Sequence, residues 1–357
     1  NAIRTFSIGF SDKQFNEAPW AARIATHLGT DHTEMYVEPG QVLNVIPHLP
    51  DIYDEPFADS SALPTYLVSQ LTRRHVTVAL SGDGGDEQFS GYVRYWLTRT
   101  MADWMVRVPF GIRKFATDLL SKLPARWVSG VYQPCLDFLP QRFRVANFED
   151  KWQKLIMQIG QEGLSELYRM TICLWSGREI SDLVGCPVSP GRYEALFEET
   201  EGWPVLSRLM RVDQGTYLPD GMLTKVDRAS MAASLEVRVP LLDHRVVEFT
   251  ARLPESLKFR NGAGKYLLKK ILARYVPRAL FERPKMGFGI PLDKWLRGEL
   301  KEPMLDYLSP ARLNREGRFK AERVTHFVNE HLNGSCSHHH RLWALLMWQM
   351  WHERWIA

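Results

Sequence analysis

Seven residues inside the stretch Val76–Tyr95 (VTVALSGDGGDEQFSGYVRY) carry the strongest chemical signal in the chain. Between Ser81 and Glu87 stand three glycines (Gly82, Gly84, Gly85) and three carboxylates (Asp83, Asp86, Glu87). Glycine lacks a Cβ, so backbone N–H groups of such a loop can approach a ligand closely. Three acids so close together would repel a phosphate unless a divalent cation stood between them. A magnesium ion bridging carboxylate to phosphate removes that conflict. The plainer reading has Asp86 or Glu87 capping the next helix; three acids with three glycines favour a site.

Other segments carry weaker signals. In NGAGKYLLKK, Lys265 follows Gly262 and Gly264 at a helix start, where an ammonium could reach a phosphate as a point charge. A glycine loop before an amphipathic helix is common, so this pattern is unspecific alone. RPKMGF (283–288) is a basic loop of the same ambiguity. In TKVDRASMAASLEVRVPLLD, the charged residues Lys225, Asp227, Arg228, Glu236, Arg238 and Asp243 stand among small and apolar ones, which predicts buried ion pairs joining helices. His338, His339 and His340 follow Cys336, but successive helical positions point to different faces, so no metal site is expected there.

The elements that must hold these groups are legible from spacing. Val76–Leu80 is a strand running into the glycine loop, and the loop opens into a helix. In an open parallel sheet, ligands bind at such carboxyl ends. Upstream, Arg4–Phe10 (RTFSIGF) reads as a strand, followed by a helix capped at Asn16 and closed by Gly29. His32–Val37 is a second strand, and Gln41–Leu49 a short helix closed by Pro50. The proline-punctuated loop DEPFADSSALPTY (54–66) leads into a helix ending at Arg74. This alternation predicts an α/β fold with a doubly wound parallel sheet.

From Trp96 to Trp203 no strand is expected. Helical spacing shows at Phe115, Leu119, Leu120 and Leu123, and at Leu164, Leu167, Tyr168 and Ile172. An amphipathic helix at 205–218 is broken at Tyr217–Leu223 and resumes at Thr224–Val237. Leu342–Trp351 is apolar around its circumference and should be buried. The expected division is 1–100, part of an α/β domain; 101–204, a helical region; and 205–357, the helical C-terminal part of the first domain.

Composition narrows the class. With 45 basic and 41 acidic residues in 357 and no long basic run, bulk nucleic-acid binding is not indicated. The four cysteines (Cys135, Cys173, Cys186, Cys336) form no CxxC pair and suit a reducing, cytoplasmic setting. No apolar run approaches the ~18 residues of a membrane span, and Asn1–Phe10 lacks signal-peptide features.

Six segments stand in one order: RTFSIGF, NEAPWAARIATHLGTDH, VTVALSGDGGDEQFSGYVRY, YLPDGMLTKVDRASMAASLEVRVPLLD, GKYLLKK and RPKMGFGIPLDKWL. Through them the chain resembles, essentially end to end, the synthetase domain of glutamine-dependent asparagine synthetases, members of the PP-loop ATP pyrophosphatase superfamily. As a set these motifs are highly specific. The resemblance implies a ligase using ATP and Mg2+ in asparagine biosynthesis or a related amidation. A substrate carboxylate attacks the α-phosphate of ATP, and glutamine-derived ammonia then displaces AMP from the acyl-adenylate. By that resemblance Ser81 and Gly82 would contact the nucleotide or acyl-adenylate, and Asp83 would be the general base. Asp86 would hold magnesium on pyrophosphate, Lys265 would stabilise the charge gathering there, and Ser60 and Ser61 would bind the acceptor.

Two departures from the family pattern qualify this expectation. The signature SGGxDS, which belongs on a strand shortly before Arg4, is not in the chain, and neither is the glutaminase domain with its cysteine nucleophile. None of the four cysteines is therefore assigned that role. The chain is expected to start inside the synthetase domain, to be inactive alone, and to work with the glutaminase domain of the same protein. ADSSALPTY also lacks the arginine associated with aspartate binding, so the acceptor is aspartate or a sugar acid, as in amidotransferases attributed to surface-polysaccharide biosynthesis. A homodimer is compatible with the family; nucleic-acid and membrane partners are not expected. Two other readings stay open: a β-lactam synthetase-like cyclase that needs no ammonia, and a non-catalytic binding or assembly module.

Overall fold

A computed structural model describes residues 2–10, 16–120, 148–282 and 290–357. The basic loop at 283–288, Cys135 and Leu123 lie outside the described residues. Strands β1 (Arg4–Phe10) and β2 (Asp31–Val37) pair in parallel, Arg4 opposite Asp31 and Phe10 opposite Val37. The crossover helix α1 (Ala18–Leu28) has its N-cap at Glu17, one residue after the predicted cap Asn16. Asn16 accepts from the Ala18 N–H at 3.2 Å, and Gly29 closes the helix at φ 65°.

The predicted helix Gln41–Leu49 is instead two short helices, α2 (Pro39–Leu43) and α3 (Leu49–Tyr53), separated by a 3-10 turn. Pro50 sits in the first turn of α3, where its missing N–H costs nothing, and so begins a helix that it was expected to end. Helix α4 (Ala62–Arg73) then leads to β3 (Val78–Leu80).

The helix predicted over Thr224–Val237 stops at Ala232. Ser234 adopts a left-handed backbone at φ 57°, and Glu236–Arg238 becomes strand β4, parallel to β3 with Val78 opposite Glu236. The predicted break at Tyr217–Leu223 is a π-helical segment that runs straight into the following helix. Among the described residues the strands form two two-stranded parallel sheets and not one continuous doubly wound sheet. The fold is mixed α/β and predominantly helical.

Among the described residues, two apolar cores hold the elements. The first joins β1, β2 and α2–α4 to the C-terminal helix His339–Trp355, with Ile8, Val37, Leu63, Trp343 and Leu346 all within it. Burying each such side chain contributes on the order of 2 kcal/mol. Trp351 Nε1 donates to Asp54 O at 2.7 Å and Trp355 Nε1 to Pro50 O at 3.0 Å, tying that helix to α3. The second core is all-helical: Tyr95, Tyr168, Phe197, Leu206 and Leu209 join the helices Val93–Arg107, Leu164–Ile172, Arg192–Glu199 and Val205–Gly215. No helix among the described residues is long and apolar enough to cross a membrane.

Candidate active site

The glycine-acid loop emerges from the carboxyl end of the β3–β4 pair. The Ser81 N–H donates to Arg238 O at 3.0 Å, extending the ladder by one bond, and the chain then turns away. Ser81 Oγ donates to Asp83 Oδ2 at 2.7 Å, which fixes that carboxylate at the start of the loop. The one-turn helix α5 (Gly85–Gln88) carries Asp86.

Lys265, distant in sequence, is delivered to Asp86. Its Nζ lies 3.1 Å from Asp86 Oδ1. Its own backbone is left-handed at φ 56°, and its N–H donates to Phe89 O at 2.8 Å, so the start of the helix Tyr266–Leu272 is hydrogen-bonded directly to the acidic loop. Two glycines permit this approach. A Cβ on Gly91 would lie 1.9 Å from Asp86 Oδ1, and one on Gly264 would lie 1.8 Å from Ser90 O. A left-handed backbone at a non-glycine residue is costly, and Lys265 adopts it where its side chain meets the loop.

The third acid leaves the site. Glu87 is 1% exposed and its Oε1 accepts from the Tyr92 hydroxyl at 2.7 Å. Burial pushes its carboxyl up, with the Tyr92 hydrogen bond opposing. Of the three carboxylates counted in the sequence, Asp83 and Asp86 therefore remain at the loop surface. Gln88, behind the loop, accepts at Oε1 from Thr250 Oγ1 at 2.8 Å and from Gln214 Nε2 at 3.3 Å, and Gln214 Nε2 also donates to Glu87 O.

A buried polar clamp backs the same region. Asp213 Oδ2 accepts from Arg94 Nη2 at 2.6 Å and from the Tyr95 hydroxyl at 2.7 Å, with Asp213 fully buried. The Arg94 guanidinium lies 3.9 Å from the Tyr92 ring centroid and 4.4 Å from that of Tyr217. Burial works against the charged guanidinium, and the Asp213 carboxylate, together with the phenols of Tyr168 and Tyr95, more than offsets it. Sequence reading missed this clamp. Its signal was an acid beside Val212, on a helix whose Leu206, Leu209 and Met210 are buried.

Ser61 belongs to a second polar cluster. Its Oγ and N–H both donate to Asp59 Oδ1, at 2.7 and 2.9 Å. Lys225 Nζ donates to Ser61 Oγ at 2.9 Å and to Asp59 Oδ2 at 3.3 Å, and the Tyr53 hydroxyl donates to Lys225 O. Ser60 is half-buried beside it. Burial raises the Tyr217 phenol; Arg94 opposes this and Asp59 adds to it. Tyr217 packs edge-on to Tyr92 at 5.8 Å, so this ring stands within electrostatic range of Asp59 while touching the residue that binds Glu87.

The ion pairs predicted around Lys225 are corrected in part. Only Lys225–Asp59 is substantially buried; Arg228–Asp54 is half exposed, and Arg238–Glu236 and Arg245–Asp243 lie in solvent, because β4 and the turn after it run along the surface. Surface clefts of about 370 and 420 Å³ beside α4 are lined by residues such as Arg74 and Ser234, or His48 and Arg228, and include none of the site residues named above.

Among the described residues, no group of three or more histidines, cysteines or acids is placed to hold a metal by itself. Magnesium is nonetheless chemically suited to this loop. It takes oxygen ligands and is commonly held by one or two carboxylates plus phosphate oxygens and water. Asp86 and Asp83 supply carboxylate oxygens of that donor type three residues apart in one turn.

A family model described as asparagine synthase matches residues 1–353. Glutamine-hydrolyzing asparagine synthetase 1 of Bacillus subtilis (strain 168) is 28% identical over 355 residues, which is 99% of this chain and 52% of that protein. A putative glutamine-hydrolyzing asparagine synthetase of Mycobacterium tuberculosis is 31% identical over 358 residues, 98% of this chain and 50% of the relative. One from Methanocaldococcus jannaschii is 40% identical over 124 residues, 35% of this chain and 23% of that protein. The chain thus spans about half the length of the curated relatives that it matches end to end.

Proposed function

Because the chain belongs to the asparagine synthase family, we propose that it performs the ATP-dependent half of an amide-forming ligase reaction. The observation that carries this reading is the Lys265–Asp86 pair at the carboxyl end of the β3–β4 strands. It joins a phosphate-binding cation and a magnesium-binding carboxylate in a glycine-rich turn. ATP and magnesium are the cofactors in this reading, and glutamine-derived ammonia is the nitrogen source, supplied by a glutaminase domain of the same protein.

In the first step an acceptor carboxylate oxygen attacks the α-phosphorus of ATP, and the bond to the bridging oxygen breaks. Lys265 meets the negative charge gathering on the departing pyrophosphate, and Asp86 would hold magnesium there. Magnesium supplies charge neutralisation between carboxylate and phosphates. Ser81 and Gly82 contact the nucleotide part. In the second step ammonia attacks the acyl carbon, its nitrogen gives up a proton to Asp83, and the bond to AMP breaks. The Ser81 hydroxyl keeps Asp83 oriented and leaves its other oxygen to accept that proton. Ser60 and Ser61 lie in the acceptor loop, and aspartate and a sugar acid are the two acceptor classes.

The doubly wound architecture and the division at 1–100, 101–204 and 205–357 belong to the same proposal. Arg4 Nη1 donates to His75 O at 3.0 Å and the Phe6 ring packs on His75, so β1 is tied to the segment that leads into β3. A cytoplasmic location and a homodimer complete the reading.

The test uses the full-length polypeptide with ATP, magnesium, glutamine or ammonium, and aspartate, uronic acids or nucleotide-linked uronic acids. Amide should form with one AMP and one pyrophosphate per turnover. Release of ADP and phosphate in place of AMP would overturn the reading. AMP released with no nitrogen incorporated, alongside a cyclised acceptor, would favour the cyclase.

A further inference from the structure

The segment TKVDRAS stands outside the phosphate chemistry, yet it places one lysine where a buried cation has no need to be. Lys225 is 8% exposed. Its ammonium has three N–H donors. One goes to Ser61 Oγ at 2.9 Å, one to Asp59 Oδ2 at 3.3 Å, and the third faces Met222 Sδ at 3.8 Å. A thioether is a weak acceptor, so the third donor is the one a better acceptor would take. Stability does not demand such a pair, because an apolar pair of similar volume is often as stable as a buried ion pair.

The surroundings orient the lysine toward the acceptor loop. Asp59 Oδ1 takes both the N–H and the hydroxyl of Ser61, so that hydroxyl turns its lone pair to the lysine. The Tyr53 hydroxyl, donating to Lys225 O, fixes the helix Thr224–Ala232 at this point. The loop Ala58–Tyr66 itself (ADSSALPTY) contains no lysine or arginine. The neighbouring Arg228 is turned outward to Asp54, with both side chains 48% exposed. Among the described residues, Lys225 is the cation whose side chain is hydrogen-bonded to Asp59 and Ser61 of this loop.

We propose that Lys225, with Ser61 and Asp59, forms an anion-recognition subsite for the acceptor, reading a second anionic group beyond the carboxylate that is adenylated. The proposal rests on the ligase reading and sharpens it. Its ligand class is a compound with at least two anionic groups. A dicarboxylic amino acid and a nucleotide-linked uronic acid both qualify; a free uronic acid, with one carboxylate, does not.

The test measures AMP release by the full-length protein with L-aspartate, a nucleotide-linked uronic acid and a free uronic acid as separate acceptors. Whichever dianionic acceptor is used should show a KM about 10- to 100-fold higher in Lys225→Met, the scale of one lost charged hydrogen bond, while the KM for ATP stays unchanged. Lys225→Arg should restore most of the affinity, since it keeps the charge. Removing one member of a buried pair can unfold a protein, so Asp59→Asn/Lys225→Met, which removes both charges, provides a second reading and should show the same rise in acceptor KM. An unchanged acceptor KM in either variant would overturn the proposal, as would efficient turnover of the free uronic acid. If the wild-type protein releases AMP with none of these acceptors, the ligase reading fails and takes the subsite with it. AMP release with an unaltered KM in the variants defeats the subsite alone.

Discussion

Lys265 Nζ lies 3.1 Å from Asp86 Oδ1, and the backbone N–H of the same lysine donates to Phe89 O at 2.8 Å. The charge contact is thus held by a main-chain bond and does not depend on a long side chain finding its partner. The lysine and aspartate side chains are 31% and 22% exposed, so solvent screens the pair and its own contribution to stability is small. Its value lies in position. In the proposed reaction, phosphate oxygens would take the lysine and a cation the carboxylate of this mutually neutralised pair.

Asp86→Asn and Lys265→Ala should therefore each lower ATP–pyrophosphate exchange by at least about 100-fold, the usual scale for losing one preorganised charge partner. Melting temperatures should change little, because the pair is solvent-screened. Exchange at the wild-type rate in Asp86→Asn would remove the metal-holding role from that residue.

Asp83 takes its hydrogen bond from Ser81 and makes no ion pair with Lys265, so its loss should act on the other half-reaction. Asp83→Asn is expected to keep pyrophosphate exchange while amide formation falls by about 10²- to 10⁴-fold, the range for a lost general base. The two rates measured side by side decide it. An equal fall in both would move Asp83 into the adenylation step.

Gly91→Ala offers a steric test of the same geometry. The new Cβ would stand 1.9 Å from Asp86 Oδ1 and 2.4 Å from Lys265 Cε, so both side chains must move. Displacements near 1 Å in a reacting array cost on the order of 100-fold in rate. The variant should fold, losing about 1 to 3 kcal/mol to overpacking, and should lose kcat far more than ATP affinity. Activity close to wild type would show that the pair is not needed in this arrangement.

Local pattern made much of this legible, and the limits have physical causes. The strand–loop–helix order of Val76–Tyr95 and the crossover between β1 and β2 follow from alternation, caps and glycine, which act over a few residues. β4 was invisible because its three residues pair with β3, and such a non-local ladder overrides the helical preference of the Ala- and Met-rich segment before it. Glu87 reads like its neighbours Asp83 and Asp86, yet Tyr92 and the second core bury it. Likewise Lys225 reads as one half of a buried ion pair, but its partner Asp59 is not marked in the sequence, and Arg94 and Asp213 look unrelated until the fold brings them within hydrogen-bonding distance. Spacing reports which face a residue occupies; it does not report what packs on that face.

The C-terminal helices carry a pH dependence whose sign is fixed by His331. The residue is fully buried, its Nδ1 lies 3.3 Å from the His338 N–H, and among the described residues its Nε2 has no hydrogen-bond partner. Burial, helped by the Arg297 guanidinium and opposed by Asp293, pushes the imidazole down to about 4. An unfolded histidine titrates near 6.5, so between these values the unfolded chain binds a proton that the folded one refuses. Stability from this group is complete above pH ~6.5 and is lost as the pH falls toward about 4. His326 and His338 flank Glu330, and Asp293 faces Arg297, Ser337 and His339, so wild-type acid unfolding combines several groups. The His331 share is isolated by comparing urea unfolding of wild type and His331→Gln at pH 7 and pH 5. The wild type should lose about 1 to 2 kcal/mol more than the variant over that interval. Parallel losses would mean that the buried imidazole takes up its proton without opposing the fold.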